Sequence, residues 1–306
     1  MQTTLAQPLA FDGTGVHLGR QARLVLWPAP ADHGIVFRRT DVVAVDQLVP
    51  ATWDRVVEGP LNTRIANRAG TTVSTIEHLM AAIAGTGLHN VLAEIDGPEV
   101  PVLDGSAAPF VRAILAVGVR RQAARLRAIK VLREVRVEKG DAWACLAPAP
   151  GLVLSFHIAF PDPLIGMQTL RLDMSNGAFV RELCDSRTFC LRSDVERMQQ
   201  QGLGLGGTLL NAVVIDDGRV LTPGGLRHKD EAVRHKMLDA LGDLATAGAP
   251  ILGSYHGHKA GHALTNQLLR KLFDTPGAWK LTPVDLDLAA RLPGAGLGPD
   301  DLAAVA

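Results

Sequence analysis

Short runs of alternating hydrophobic and polar residues open the first half of the chain. Residues 23–27 have the alternation of a half-buried strand, and extended character resumes at residues 34–37 after a proline-containing break. Near residue 74 the hydrophobic period lengthens to that of a helix, which two glycines end. A strand at residues 90–95 and a helix at residues 106–117 follow.

The second half of the chain again places strands before helices. Residues 131–137, 152–156 and 212–215 have the composition of strands, while residues 230–246 and 263–273 have a helical period. Runs of strands followed by helices predict an α+β fold, in which each sheet packs against helices in layers.

Two domains of this kind are expected, because a single hydrophobic core stops growing at about 250–300 residues and the chain has 306. Eight basic residues crowd the stretch 120–139. We interpret it as a solvated crossing between the domains, which is more common than a phosphate-binding or lipid-surface patch. The predicted domains are residues 1–125 and 126–306. The tail after residue 293 is rich in Gly, Pro and Ala, and we expect it to be loose.

Charge and cysteine content exclude several classes of protein. The 31 basic residues balance 31 acidic ones, which argues against a nucleic-acid partner because phosphate binding needs a basic excess. No apolar run approaches the roughly 18 residues of a membrane-spanning helix, and the chain does not begin with a secretory signal. The three cysteines form no CxxC pair. These features predict a soluble protein of the cytoplasm.

Glu77 and His78 lie off the apolar stripe of the first predicted helix. Ser74 followed by Glu77 also fits a capping box, in which Glu77 would only bind a backbone N–H. An adjacent Glu and His is a weak signal of function. For this segment taken alone, the capping box is the better interpretation.

A second segment places His235, Asp239 and Asp243 four residues apart on one helical stripe. An i, i+4 pair of a histidine and a carboxylate has the geometry to bind one metal ion from a single helix. The alternative, a solvated face with surface ion pairs, is the commoner case for an isolated match.

The third segment has three histidines, at positions 256, 258 and 262, in a glycine-containing loop that opens a helix. A histidine there can donate or accept protons near neutral pH. The alternative is a polar turn in which His256 and His258 have no function.

Together the segments supply a metal site and acid–base groups. Two nitrogens and one carboxylate come from three residues: His78, His235 and Asp239. They leave a fourth position for water, as in a catalytic zinc site, and zinc lowers the pKa of that water from about 15.7 to about 7. Glu77 would take the proton, and His262 would protonate a leaving amine or stabilise an oxyanion. Asp243 would hold the imidazole in its cationic form.

Seven motifs follow one another along nearly the whole chain. They are residues 13–19 (Gly-Thr-Gly-Val-His-Leu-Gly), 75–79 (Thr-Ile-Glu-His-Leu), 97–101 (Gly-Pro-Glu-Val-Pro), 104–110 (Asp-Gly-Ser-Ala-Ala-Pro-Phe), 186–189 (Ser-Arg-Thr-Phe), 233–244 (Val-Arg-His-Lys-Met-Leu-Asp-Ala-Leu-Gly-Asp-Leu) and 261–264 (Gly-His-Ala-Leu). In this order they resemble the zinc-dependent UDP-3-O-acyl-N-acetylglucosamine deacetylases of lipid A synthesis. The set is highly specific, unlike any one motif alone.

The resemblance implies hydrolysis of the N-acetyl group of UDP-3-O-[(3R)-3-hydroxyacyl]-N-acetylglucosamine to acetate and the free amine, the committed step of lipid A biosynthesis. It implies two α+β domains with the active site between them, and a small insert near residues 190–212 that forms an apolar passage for the acyl chain. We also expect a monomer that works close to the inner membrane surface.

The resemblance also assigns roles to single residues. The ligands of Zn²⁺ would be His78, His235 and Asp239, the general base Glu77, and the general acid or electrostatic partner His262, with Asp243 behind it. Thr188 would bind the carbonyl oxygen as it becomes negative, Phe189 would pack on the sugar, and Lys236 would meet the diphosphate. His17 matches a histidine near the active site. Whether Glu77 acts alone or shares the acid–base work with His262 stays open.

Two departures from the family pattern affect the acyl site rather than the metal. Cys190 stands where many relatives have glycine, and residues 227–230 are more basic than usual. Two other functions are compatible with parts of this pattern. A different metallohydrolase, such as an esterase or peptidase, would share the ligands without needing Lys236 or the insert. A non-catalytic binder of nucleotide sugars or lipids would have no reason to keep Glu77 and His262 together with the ligands.

Overall fold

The first domain is built on a five-stranded sheet. The computed structural model describes residues 1–57, 59, 61–298 and 300–304. Ten strands lie in its first part: β1 (Thr3–Leu5), β2 (Leu9–Thr14), β3 (Gln21–Pro28), β4 (Ile35–Arg39), β5 (Leu48–Pro50), β6 (Val56–Val57), β7 (Arg64–Ala66), β8 (Thr72–Val73), β9 (Val91–Ile95) and β10 (Val119–Arg121). The large sheet has the order β2-β3-β9-β4-β5, strands β6, β7 and β8 form a small sheet, and β1 pairs with β10.

The second domain has a seven-stranded sheet with strand β19 (Ile251–His258) at its centre. The described strands are β11 (Arg127–Val131), β12 (Val135–Lys139), β13 (Ala142–Ala147), β14 (Leu152–Ala159), β15 (Met167–Asp173), β16 (Phe189–Leu191), β17 (Val213–Asp216), β18 (Arg219–Val220), β19 (Ile251–His258) and β20 (Trp279–Pro283). Strand β19 is parallel to β11 and β14 and antiparallel to β13. Strands β12, β15 and β20 lie outside β13, β14 and β11.

Helices pack on these sheets and confirm the predicted α+β class. The described α-helices are α1 (Glu77–Gly85), α2 (Ala108–Val117), α3 (Arg192–Gln200), α4 (Glu231–Ala245), α5 (His262–Asp274), α6 (Leu286–Ala289) and α7 (Asp301–Ala304). Short helical turns lie at Ala44–Asp46, Trp53–Arg55 and Phe179–Leu183. Within the described residues, no helix has both the length and the apolar character to cross a membrane.

The strand predicted at residues 131–137 is wrong in its extent. Strand β11 ends at Val131 and β12 begins at Val135, with three exposed residues between them. The two strands occupy different places in the sheet, since β11 pairs with β19 and β20 while β12 pairs with β13. The connecting residues turn because Leu132 donates its N–H to the carbonyl of Ala278.

The insert predicted near residues 190–212 contains helix α3 and connects strand β16 to strand β17. Strand β17 is parallel to β16 and antiparallel to β18. The insert contacts the first domain, because Leu205 and Gly206 donate their N–H groups to the carbonyls of His17 and Val16. Several of its leucines are exposed: Leu205, Leu209 and Leu210.

The tail after residue 293, predicted to be loose, makes defined contacts in its described part. Asp301 is buried, and both of its carboxylate oxygens accept hydrogen bonds from Arg181. Gly294 packs against Gly87, just beyond the end of α1. The tail is therefore attached to both domains.

Helices α1 and α4 bring the two domains together. A Cβ atom on Gly242 of α4 would lie 2.0 Å from the carbonyl oxygen of Glu77, the first residue of α1. Only glycine permits this approach of the two backbones. The contact places the beginning of α1 beside the middle of α4, where the candidate metal ligands lie.

Candidate active site

Three predicted ligands converge between α1 and α4. The Nε2 atoms of His78 and His235 lie 3.5 and 3.4 Å from Oδ1 of Asp239. The two imidazole rings are nearly perpendicular, with centroids 4.9 Å apart. One ligand atom from each of the three residues falls within 4.8 Å of the others, and all three residues are buried. The first domain supplies one ligand and the second supplies two.

The unsatisfied groups at this cluster fit a divalent cation. Oδ1 of Asp239 is buried and accepts no hydrogen bond, although an unpaired buried carboxylate oxygen is costly. Its other oxygen, Oδ2, accepts from Nζ of Lys236 at 2.8 Å. Nδ1 of His235 lies 2.9 Å from the carbonyl oxygen of Ser186, which directs Nε2 toward the cluster. Two imidazoles and one carboxylate are a common donor set for transition metals.

Protonation states also suit metal binding. Burial lowers the pKa of His235 to about 4, so its imidazole is neutral and free to coordinate. Burial alone would raise the pKa of Asp239, but the adjacent imidazole and the Lys236 ammonium hold it well below its usual range. The carboxylate is therefore ionised at neutral pH.

Glu77 is the first residue of α1, and the predicted capping box is wrong. The residue that caps the helix is Ile76, and the Ser74 hydroxyl donates to the carbonyl of Pro98 instead. The cause lies in the backbone of Thr75, whose φ of 57° is rare for a β-branched residue and turns the chain just before the helix. Oε2 of Glu77 accepts the N–H of Thr63 at 3.0 Å. Burial raises the pKa of the Glu77 carboxyl.

His262 is the first residue of α5, directly after an extended glycine. Its Nδ1 lies 3.1 and 2.9 Å from the two carboxylate oxygens of Asp243. Burial disfavours the charged imidazole, but the charge of Asp243 and the hydrogen bond outweigh it and raise the pKa of His262 to about 9. The imidazolium is therefore the dominant form at neutral pH, as predicted for a histidine paired with Asp243.

The family models and curated relatives agree on one enzyme family. The model of the UDP-3-O-acyl N-acetylglycosamine deacetylases matches residues 2–274. The UDP-3-O-acyl-N-acetylglucosamine deacetylase of Phenylobacterium zucineum is 47% identical over 288 residues, which cover 94% of this chain and 98% of that protein. The one of Shewanella frigidimarina is 44% identical over 306 residues and 99% of each chain. The chain belongs to this deacetylase family.

The structure also describes the surroundings of the four residues predicted to contact the substrate. The Phe189 ring is perpendicular to that of His235, with centroids 6.3 Å apart. Thr188 precedes it and is held by its N–H bond to the carbonyl of Gly105, at 2.8 Å. Nζ of Lys236 contacts Asp239, as described above. His17 is buried, and its Nδ1 makes no hydrogen bond.

His256 and His258 lie away from the site, on strand β19. The His258 ring stacks between those of Trp143 and His157, and His256 contacts the Ser254 hydroxyl. Of the three histidines in this segment, only His262 reaches the cluster. The alternative that His256 and His258 have no catalytic function agrees with this geometry.

Two buried residues that contact predicted groups have no role predicted from the sequence. Thr63 contacts both Glu77 and Asp243. Glu99 is 2% exposed and accepts hydrogen bonds from the N–H groups of His17 and Leu18 and from the Thr75 hydroxyl. Glu99 lies inside a family motif, and that position in the motif was the signal that could have found it. Thr63 lies in none of the motifs.

Proposed function

We propose that the deacetylase reaction proceeds at the His78–His235–Asp239 cluster, with Zn²⁺ as its ion and Glu77 as the general base. The family identity makes the chain a UDP-3-O-acyl-N-acetylglucosamine deacetylase, an amide hydrolase of lipid A biosynthesis. The observation that carries the assignment of residues is the unpaired Oδ1 of buried Asp239 between two imidazole nitrogens. Without a cation, burial of that oxygen would cost free energy that no bonding partner offsets.

Zinc suits this set of donors, because it prefers tetrahedral sites with nitrogen and oxygen ligands and keeps one position open in catalytic sites. When bound there, it would polarise the acetyl carbonyl and lower the pKa of a water molecule to about 7. The lysine beside Asp239 and the carbonyl of Ser186 orient the ligands from behind.

Glu77 accepts the proton of the attacking water as the water oxygen bonds to the acetyl carbon. Thr63 occupies Oε2 of Glu77, so Oε1 is the atom available for this proton. The raised pKa of the buried carboxyl makes it a stronger base than a surface glutamate. Once protonated, Glu77 is also able to return the proton as the C–N bond breaks.

His262 supplies a positive charge beside the reacting amide. As an imidazolium held by Asp243, it stabilises the oxyanion or gives its proton to the departing nitrogen. Thr188, on the segment before β16, would donate its hydroxyl to the same oxyanion. The free amine and acetate are the products.

Substrate groups outside the amide would meet residues around this centre. Nζ of Lys236 has three protons and uses one on Asp239, so it still has donors for a diphosphate. Phe189 would pack on the sugar, and His17 would line its other side. The exposed leucines of the insert would accept the acyl chain.

We further propose that the enzyme is a cytoplasmic monomer that works near the inner membrane surface. The substrate joins an acyl chain to a charged nucleotide, and such an amphiphile concentrates at membranes. No described helix would anchor the enzyme there, so contact would be transient.

Glu77→Ala tests the mechanism. We expect acetate release from the acylated nucleotide sugar to fall about 10²–10⁴-fold, the usual effect of losing a general base, while one metal ion stays bound. Ser74→Ala is the matched control, because its hydroxyl bonds to the Pro98 carbonyl and the capping box with Glu77 does not form. Full activity in Glu77→Ala with the metal retained would show that another group takes the proton.

A further inference from the structure

Thr63 connects the two acid–base groups of the site. It is 3% exposed and lies just before strand β7. Its backbone N–H donates to Oε2 of Glu77 at 3.0 Å, and its hydroxyl donates to Oδ1 of Asp243. One buried residue therefore touches both the carboxylate proposed as base and the carboxylate that binds His262.

These two contacts belong to different domains. Glu77 begins α1 of the first domain, whereas Asp243 lies on α4 and His262 on α5 of the second. Thr63 itself comes from the first domain. Its hydroxyl therefore forms a hydrogen bond from the segment that binds Glu77 to the Asp243–His262 pair.

The segment that carries Thr63 is anchored on the Glu77 side. The carbonyl of Thr63 accepts the N–H of Ile76 at 3.3 Å, and the Asn62 amide donates to the Thr75 hydroxyl at 3.0 Å. The Thr75 hydroxyl in turn donates to Oε1 of Glu99 at 2.9 Å. Because these bonds fix the backbone of Thr63, its hydroxyl points to Asp243 from a rigid base.

We propose that Thr63 is a positioning residue that sets Glu77 and the Asp243–His262 pair at their working separation. The inference rests on the roles proposed above for Glu77 and His262. The N–H binds Oε2 of Glu77 and leaves Oε1 for the proton of the attacking water. The hydroxyl holds Asp243 in the rotamer in which both oxygens face Nδ1 of His262, at 3.1 and 2.9 Å.

Thr63→Val tests this role, since valine keeps the shape and the backbone N–H but removes the hydroxyl. We expect kcat to fall about 10–100-fold, the range for displacing a catalytic group by a fraction of an ångström to one ångström, with KM and bound metal unchanged. Thr63→Ser restores the hydroxyl and should recover most of kcat.

Thr4→Val is the matched control. Thr4 is also buried, and its hydroxyl, outside the site, donates to the carbonyl of Asn90 at 2.7 Å and accepts the N–H of Ala29 at 2.9 Å. It should lower the melting temperature at least as much as Thr63→Val does, because it removes a buried hydroxyl and leaves the N–H of Ala29 without its acceptor. Its kcat should equal that of the wild type.

Three results would overturn the inference. They are a kcat in Thr63→Val no lower than in Thr4→Val, a rise in KM in place of a fall in kcat, and a Thr63→Ser enzyme as slow as Thr63→Val. The activity of Glu77→Ala shows whether such a result contradicts only the role of Thr63 or the whole proposed mechanism. If Glu77→Ala is inactive while Thr63→Val is normal, only the role of Thr63 is wrong; if both are fully active, the proposed mechanism fails.

Discussion

The Asp243–His262 pair determines the pH range in which the site carries its positive charge. Burial by itself would lower the pKa of His262, and the Asp243 charge and hydrogen bond raise it to about 9. An acid with this pKa is protonated below pH 9 and loses its proton as the pH rises through it. A bound metal cation also disfavours the imidazolium, so the transition in the holoenzyme should lie no higher than about pH 9.

The pH dependence of kcat/KM should therefore have a basic limb that reports His262. In Asp243→Asn the attraction is lost while the burial remains, so the limb should move to lower pH and activity at pH 8 should fall. His256→Gln is the control, because the ring of this histidine bonds to the Ser254 hydroxyl on strand β19, away from the cluster, and the variant should leave the profile unchanged. A basic limb at the same pH in Asp243→Asn and the wild type would exclude His262 as its origin.

Among single residues, the sequence predicted those whose chemistry has a local pattern. His235 and Asp239 stand four apart on one helix, and their stripe was visible as a candidate metal site. His78 could be predicted as a ligand only from the family motif. The local spacing by itself favoured a capping box at Ser74 and Glu77, which gives His78 no function. Thr63 and the carbonyl of Ser186 were not predicted, because they act on residues far away in the chain and both use backbone groups, which have no sequence signature.

At the scale of elements, the approach of α1 to α4 determines whether the ligands meet. The beginning of α1 lies against the backbone of α4 at Gly242, between the turn that carries Asp239 and the one that carries Asp243. A side chain at this position would separate the helices and draw His78 away from the other two ligands.

Gly242→Ala should therefore weaken both the fold and the site. The new Cβ would lie 2.0 Å from the Glu77 carbonyl oxygen, and we expect a loss of about 1–3 kcal/mol in the free energy of unfolding together with weaker metal binding. Gly298→Ala is the control, since nothing lies within 4 Å of its Cβ position. Chemical denaturation and metal titration of both variants measure the effect. Equal stability and metal affinity in the two would contradict the close contact.

Helices were predictable where one buried face gives the sequence a clear hydrophobic period. The predicted helices at residues 230–246 and 263–273 correspond to α4 and α5, each with a buried face. Helix α3 was not predicted because none of its residues is buried, so it has no apolar stripe to detect. The strand at residues 131–137 was wrong because hydrophobic composition does not show where a chain moves from one place in a sheet to another.

At the scale of the whole molecule, both halves contribute residues to the larger hydrophobic core and to the candidate site. A continuous cluster of buried hydrophobic residues runs from Leu5 to Ala278 and includes residues of both sheets and of α1, α4 and α5. The layered α+β class followed from the order of strands and helices. The packing of the halves against each other did not, because it depends on contacts such as that between Gly242 and Glu77, which have no local signature.

The central claim is that His78, His235 and Asp239 bind one ion on which amide hydrolysis depends. Metal titration of chelator-treated enzyme, with acetate release followed at each step, tests it most directly. We predict no activity in the metal-free protein, recovery in proportion to added Zn²⁺ up to one equivalent, and neither binding nor recovery in His235→Ala. Full acetate release by the metal-free protein, or recovery of His235→Ala at the same single equivalent, would contradict the account.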